Sequence, residues 1–75
     1  MDIRIIIRIH ELITTRQTGT PKELAEKLEL SERTVYNYIA YMREELKAPI
    51  VYNTALSNYC YEEDCQLNFK GINSN

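Results

Sequence analysis

Two strong helix-start signals stand close together near the middle of this 75-residue chain. In the first, Thr20 can cap a helix, Pro21 suits a first turn that needs no amide donor, and Glu23 completes a capping box. In the second, Ser31 can cap another helix with its hydroxyl. Because only residues 21–30 lie between the two caps, the sequence predicts a short helix over 21–28, a very tight turn and a longer helix.

The longer helix is expected over about 32–47. Apolar side chains recur along it at the spacing of one buried face, namely Val35, Ile39, Met42 and Leu46. The opposite side of the helical wheel carries Arg33, Asn37, Ala40 and Glu44, flanked by Tyr36 and Tyr41. Pro49 stops the helix and forces Ala48 toward an extended conformation.

A further helix is expected before these two, over about 2–17. Asp2 can cap it, and Gly19 supplies the left-handed residue that commonly follows a helix end. Its apolar residues cover a wheel arc of roughly 220° at about 100° per residue, and they are Ile3, Ile5, Ile6, Ile7, Ile9, Leu12 and Ile13. That arc is wider than one small core needs.

Beyond Pro49 the pattern favours strands. Residues 50–52 and 59–61 read as the two strands of a β-hairpin, joined by a polar turn over 53–58 in which Asn58 can adopt a left-handed conformation. Residues 66–69 could add a short strand, within a tail over 63–75. The predicted fold is therefore one domain over 1–75, mainly α with a small β-hairpin over about 50–62.

Composition excludes several classes of protein. With 44% hydrophobic and 27% charged residues and only two Gly and two Pro, the chain is neither disordered nor a linker. Arg4, Arg8 and Glu11 interrupt the apolar start before the roughly 18 residues that a membrane span requires. The start also lacks the features of a signal peptide, so a cytoplasmic location without membrane contact is expected.

The sequence offers little for catalysis or metal binding. It has no phosphate-cradling glycine loop, nucleophile elbow or separated carboxylate pair, so we expect no enzyme activity, no cofactor and no small-molecule ligand. Cys60 and Cys65 with one distant histidine fall short of the four ligands of a structural zinc site, and both are expected to be free thiols. His10 is expected to be a hydrogen-bonded, partly buried imidazole.

A short helix, a tight turn and a longer helix with outward polar side chains form a helix-turn-helix arrangement, which suits the DNA major groove. Arg33 can contact guanine bidentately or bind a phosphate, Asn37 can contact adenine, and the Ala40 methyl allows close approach. Plainer roles compete at neighbouring positions. Ser31 is expected to serve first as a helix cap. For Tyr36 two roles stay open, namely contact with the groove and packing against neighbouring residues.

The order of the motifs also resembles a known family. The quoted segments are Gly-Thr-Pro-Lys-Glu-Leu-Ala-Glu-Lys-Leu at 19–28, Leu-Ser-Glu-Arg-Thr-Val-Tyr-Asn-Tyr-Ile at 30–39, Ala-Pro-Ile-Val-Tyr-Asn at 48–53 and Tyr-Cys-Tyr at 59–61. They are similar to the winged helix-turn-helix domains of DeoR-type bacterial transcription regulators, also called helix-turn-helix type 11 domains. The resemblance runs from residue 1 to about 62 and implies a three-helix bundle plus a wing.

The resemblance further implies a double-stranded DNA partner and a role in transcription regulation. In the family's pattern, the positions that face bases or phosphates correspond here to Ser31, Arg33, Thr34, Tyr36 and Asn37. The hairpin would be the wing of such a domain.

The charge balance leaves an alternative open. The chain has a formal net charge of −2, and its turn over 53–58 has no basic residue, so a monomer is expected to bind DNA weakly. The apolar arc of the first helix is wider than one small core needs, so this helix is the expected surface of a homodimer. In a homodimer the binding free energies at two DNA half-sites would add. The alternative is a winged-helix module for protein–protein interaction without DNA binding.

Overall fold

A computed structural model describes residues 1–63 of the chain. Within this range it contains three helices and one antiparallel pair of strands: α1 (Ile3–Thr14), α2 (Pro21–Leu28), α3 (Glu32–Glu44), β1 (Ile50–Asn53) and β2 (Asn58–Tyr61). The mainly helical fold with a small hairpin is confirmed, and the arrangement is that of a winged helix-turn-helix. The expected strand over 66–69 lies outside the described residues.

Helix α1 ends earlier than its pattern predicts. Its last helical residue is Thr14, and Arg16 then adopts the left-handed conformation with a φ of 59°. The Gln17 amide donates to the Leu12 carbonyl at 2.8 Å, which closes the helix end. The expectation that Gly19 closes α1 is therefore wrong, because the chain has already turned at Arg16.

Helix α2 begins with the capping box that its sequence predicts. The Thr20 hydroxyl accepts from the Glu23 amide at 3.2 Å, and the Glu23 carboxylate accepts from the Thr20 amide at 2.8 Å. Gly19 precedes this box with a φ of 72°, and a β-carbon there would collide with the Glu23 carboxylate. Glycine is therefore favoured at this position, because it adopts the left-handed conformation at little cost and leaves room for the Glu23 side chain.

The turn between α2 and α3 is as short as the two caps predict. Glu29 adopts a left-handed conformation with a φ of 58°, and the Leu30 amide donates to the Ala25 carbonyl at 2.9 Å. Ser31 then starts α3, because its hydroxyl accepts from the Thr34 amide at 3.1 Å. This turn sets the angle at which α3 leaves α2.

The core lies between the three helices and the hairpin. Its buried members are Ile9, Leu12 and Ile13 from α1; Leu24, Ala25 and Leu28 from α2; Val35, Tyr38, Ile39 and Met42 from α3; and Ile50 and Tyr59 from the strands. Leu46, expected on the buried face, is 51% exposed. That expectation is wrong because α3 ends at Glu44 and the chain turns at Lys47, whose φ is 57°.

The hairpin pairs Ile50 with Tyr61 and Asn53 with Asn58. Ser57, with a φ of 52°, takes the left-handed position of the turn that was expected for Asn58. Asn58 is instead the first residue of β2, paired across the sheet with Asn53. The expectation for Asn58 is therefore wrong, because the turn is completed one position earlier.

A polar network holds the wing against the loop between α1 and α2. Fully buried Thr18 accepts a hydrogen bond from the Tyr59 amide at 2.8 Å and donates one to the Asn58 carboxamide at 3.1 Å. That carboxamide also accepts from the Gly19 amide at 2.7 Å and donates to the Arg16 carbonyl at 3.2 Å. We call these bonds the wing network, because they attach β2 to the helices.

Two side chains on the helices also reach the strands. The Nδ1 atom of His10 lies 2.6 Å from the Tyr61 hydroxyl, and the Arg43 Nε donates to the Ile50 carbonyl at 2.8 Å. The expected hydrogen bond of His10 is therefore present, but the residue is exposed rather than partly buried. The reason is that His10 lies at the edge of the apolar arc, beside β2.

Cys60 is buried in β2 and is disulfide-bonded. The expectation of a free thiol is therefore wrong for Cys60, and Cys65 lies outside the described residues. The absence of secretory features in the sequence does not decide whether a particular thiol is oxidised.

Candidate nucleic-acid interface

The outer side of α3 carries three of the five predicted site residues. Arg33, Tyr36 and Asn37 are exposed, and Tyr36 keeps half of its surface accessible. Arg33 and Asn37 are four residues apart and so lie one helical turn from each other on the same side. Among residues 1–63, no hydrogen bond or ion pair engages the Arg33 guanidinium or the Asn37 carboxamide.

The other two predicted site residues belong to the start of α3. The Ser31 hydroxyl accepts from the Thr34 amide at 3.1 Å and donates to the Thr34 hydroxyl at 2.9 Å. The Thr34 hydroxyl acts as the acceptor in that bond, so it keeps its own hydrogen for another acceptor. Ser31 therefore caps α3, as the sequence predicts, and Thr34 is the half-buried neighbour of that cap.

The tyrosines of α3 divide between the two sides of the helix. Tyr38 is 9% exposed, and its hydroxyl accepts from the Asp2 amide at 3.0 Å, so it holds the start of α1 to α3. Tyr36 is half exposed. Burial raises the pKa of the Tyr59 phenol, with a smaller contribution from the neighbouring Tyr36.

Tyr36 is therefore close to the aromatic residues at the base of the wing. Tyr52 and Tyr59 meet edge to face there, with ring centroids 5.0 Å apart. Tyr36 is half exposed, and it lies close enough to Tyr59 to contribute to the raised pKa of that phenol. Its accessible half can line the interface.

Some of the positively charged side chains of the helix-turn-helix unit make internal hydrogen bonds and others do not. The Lys27 ammonium donates to the Gln17 carbonyl, and Arg43 is held by the carbonyl at the start of β1. Lys22 and Arg33 are exposed and make no bond with other residues in the 1–63 range. These two are the positive charges that the unit offers to a ligand without breaking an internal contact.

The wing tip offers no charge of its own. Residues 54–57 are exposed, and Leu56 keeps 53% of its surface accessible. The Asn53 carboxamide accepts from the Leu56 amide at 3.1 Å, which orders the turn. A neutral tip of this kind can touch a nucleic acid through hydroxyls and apolar atoms but adds no attraction to phosphates.

A family model described as an HTH domain, the helix-turn-helix type 11 domain, matches residues 5–54 of the 75. The chain belongs to this helix-turn-helix family. The matched range begins within α1, contains both helices of the helix-turn-helix unit, and ends in the turn of the wing. The chain has no significant match among curated proteins or among solved structures.

The family membership supports DNA binding as the role of this HTH domain. No helix within residues 1–63 has the length and apolar character needed to cross a membrane. In the same range, His, Cys, Asp and Glu side chains form no cluster of three that could hold a metal ion.

Sequence reasoning missed the wing network of this HTH domain. Thr18 and Tyr59, which it joins, are 41 positions apart in the chain, so no local pattern connects them. Asn58 drew attention only as a turn residue. The one available signal was Thr18, a small polar residue next to a glycine, and that signal does not specify a partner.

Proposed function

We propose that this HTH domain binds double-stranded DNA with sequence preference and regulates transcription by inserting α3 into the major groove. The observation that carries the proposal is the pair Arg33 and Asn37, which are exposed one turn apart on α3 with no internal partner. If either group made an internal polar contact, that contact would have to be broken before the group could bind a base. Neither group makes one within residues 1–63, so both are available at once.

The chemistry of the pair favours base recognition. A guanidinium fork fits the O6 and N7 acceptors of guanine, and a carboxamide fits the N6 and N7 atoms of adenine. Ala40, half-buried one turn after Tyr36, leaves room for close approach of the helix to the groove. Ser31, Thr34 and Tyr36 would then face phosphates at the edge of the groove.

The charge of the chain sets the strength of this binding. With a formal net charge of −2 and a neutral wing tip, one copy gains little from phosphate contacts. We therefore propose that the protein acts as a homodimer paired through α1, so that two half-sites on one duplex add. The DeoR-type resemblance supports a bacterial regulator in the cytoplasm without enzyme activity.

A second candidate function is protein–protein interaction. It is favoured by the exposed Leu56 at the wing tip, the half-exposed Tyr36 and the net acidic charge. Aromatic and apolar groups of this kind are typical of interface centres. The DNA reading ranks first because the family membership and the Arg33 and Asn37 pair both support it.

The deciding experiment is selection from a random duplex pool, followed by titration with the retained sequence. Binding should weaken between about 50 mM and 200 mM salt, because each phosphate contact that forms releases counterions. At the selected site, Arg33→Ala and Asn37→Ala should each cost roughly 1–3 kcal/mol. Absence of binding at the lower salt concentration would favour the protein–protein alternative.

The matched control is Arg8→Ala, which removes another exposed positive charge, this one on α1. It should weaken binding to all sequences slightly and leave the preferred site unchanged. If Arg33→Ala behaves in the same way as Arg8→Ala, Arg33 contributes only charge and does not read a base. Circular dichroism of each variant verifies that the fold is intact.

A further inference from the structure

Three outward side chains follow one another along α3. Arg33, Asn37 and Ala40 are separated by four and three residues, so at about 100° per residue they lie within an arc of roughly 60° on the helical wheel. Arg33 and Asn37 are exposed and Ala40 is half-buried, and all three lie opposite the four buried residues of the helix. We call these three residues the reading row.

The members of the reading row differ in chemistry. The Arg33 guanidinium only donates hydrogen bonds, the Asn37 carboxamide both donates and accepts, and the Ala40 methyl does neither. In the major groove, guanine presents two acceptors, adenine presents an acceptor beside a donor, and thymine presents a methyl group. The segment from Arg33 to Ala40 contains no acidic residue, so it offers no carboxylate to the amino group of cytosine. Each member therefore matches a different base, namely guanine, adenine and thymine.

The length of the reading row limits the size of the site. The seven residue steps from Arg33 to Ala40 correspond to about 10.5 Å along a helix that rises about 1.5 Å per residue. Successive base pairs are about 3.4 Å apart, so the row covers at most about four of them. The order of the side chains along α3 becomes the order of the base pairs along the groove, with the partner of Asn37 in the middle.

Few other contacts are available to fix the choice of site. Lys22 and Arg33 are the cations of the helix-turn-helix unit that make no internal bond within residues 1–63, and the wing tip is neutral. Once Arg33 binds a base, Lys22 remains for the phosphates. Phosphate contacts carry no direct sequence information. The selectivity of α3 therefore depends on the base contacts of the reading row.

We infer that α3 recognises a half-site in which one G·C pair is followed by two A·T pairs, all within about four successive base pairs. Arg33 binds the O6 and N7 atoms of the guanine. Asn37 binds the N6 and N7 atoms of the adenine in the middle pair, and the Ala40 methyl packs on the thymine methyl of the last pair. This inference rests on the proposed insertion of α3 into the major groove and adds the identity and order of the bases.

The test uses the full chain and a duplex that it has retained from a random pool, at about 50 mM salt. At one position after another, a purine is replaced by its deaza analogue, in which carbon takes the place of N7, or a thymine by uracil. Fluorescence anisotropy measures the dissociation constant. In each half-site, the analogue should weaken binding about tenfold at one guanine and one adenine, because a bidentate contact is lost. Uracil should weaken binding about fourfold at the thymine of the last pair, because one buried methyl is lost.

Substitutions then assign each sensitive base to one side chain. Arg33→Ala should remove the sensitivity to the guanine analogue, Asn37→Ala that to the adenine analogue and Ala40→Gly that to uracil, while the other two sensitivities remain. Lys22→Ala is the control. It should weaken binding to all of these duplexes alike, because a phosphate contact does not depend on the base. Each variant is compared with itself on two duplexes, so any change in its stability cancels.

The inference is overturned if the selected duplex is bound and any of the three analogues leaves the dissociation constant unchanged. It is also overturned if the sensitive pairs occur in another order, if they extend over more than about four base pairs, or if a variant keeps the sensitivity that it should lose. In those cases the proposed DNA binding stands and only the assignment of bases fails. Absence of binding to every duplex removes the proposed function itself, and the inference with it.

Discussion

Helices α1 and α3 have similar lengths and pack on the same core, but they expose different chemistry. Helix α1 buries Ile9, Leu12 and Ile13 and leaves a stripe of isoleucines exposed on its outer side. Helix α3 buries four residues and leaves Arg33 and Asn37 outside. Three or four buried side chains per helix therefore suffice for the helical part of the core, so the outer residues are free to serve other contacts.

The two outer sides predict two different partners. An apolar stripe gains free energy by leaving water and so favours another protein surface, whereas unpaired hydrogen-bonding groups favour a polar ligand such as the edges of bases. Substitutions on each side test whether the two sides are independent.

The largest expected effect separates the inner and outer sides of α1. Ile9→Ala should lower the free energy of unfolding by about 2–5 kcal/mol, because Ile9 is fully buried and its loss leaves a cavity. Ile7→Ala, the same substitution on the exposed stripe, should cost less than about 1 kcal/mol. Urea denaturation at low protein concentration measures both, and equal costs would show that the stripe belongs to the core.

The wing network provides the next test. Asn58→Ala should cost about 1–3 kcal/mol of stability, because the Gly19 amide and the Thr18 hydroxyl lose an acceptor. Asn53→Ala is the control, since its carboxamide makes a single exposed bond, to the Leu56 amide. It should cost less than about 1 kcal/mol in the same denaturation experiment.

Asn58→Ala also tests how DNA recognition depends on the wing. If α3 reads bases without the wing, Asn58→Ala should bind the selected duplex with unchanged sequence preference. Selection with the variant, below its unfolding temperature, measures that preference. A changed consensus would mean that the position of the wing contributes to recognition, and α3 would no longer suffice as the reading surface.

A smaller effect of opposite sign is expected in the turn before α3. Glu29→Gly should stabilise the domain by about 0.5–1 kcal/mol, because a left-handed conformation costs glycine little. Glu26→Gly, inside α2, should instead destabilise it by about 1 kcal/mol. Thermal unfolding of both variants measures the two signs. A destabilised Glu29→Gly variant would indicate that the Glu29 side chain contributes a contact.

Acid should affect the start of α1 but not the start of α3. Hydrogen bonds from Arg4 hold the pKa of the Asp2 carboxyl below its ordinary value, whereas the α3 cap is the neutral hydroxyl of Ser31. A carboxyl whose pKa is lower in the folded state contributes stability above its unfolded pKa, near 3.8, and loses it as the pH falls through the folded pKa.

The pKa of Glu23 is lowered in the same sense by its bonds to the backbone and hydroxyl of Thr20. Stability should therefore fall between about pH 5 and pH 3. The Asp2→Asn/Glu23→Gln double variant keeps oxygen acceptors at both caps and should show a flatter dependence in that interval. Chemical denaturation at several pH values measures how the free energy of unfolding depends on pH. Identical dependences for the wild type and the double variant would show that neither cap contributes to the loss of stability in acid.

Helix starts could be predicted from the sequence, whereas helix ends could not. Thr20 and Ser31 cap amides three residues away, so the signal and the structure lie in the same short segment. The ends of α1 and α3 are set by Arg16 and Lys47 in left-handed conformations. Long charged residues carry no local preference for that conformation, so the stop signals Gly19 and Pro49 placed both helix ends too late in the chain.

Part of the candidate site could likewise be predicted from the sequence, and part could not. The wheel of α3 identified Arg33 and Asn37 as outward residues, because a helix with one apolar face must turn the opposite face to water. The proximity of Tyr36 to the base of the wing was beyond that reasoning. It depends on where the hairpin folds back.

By itself, then, the sequence determined the order of the elements, the capped starts of α2 and α3, and the sides of the helices that face inward, because caps and periodicity act within a few residues. Tertiary structure decided how the wing attaches. The bonds of Thr18 to Asn58 and Tyr59 join positions about forty residues apart, and only the packed core brings such groups within hydrogen-bonding distance.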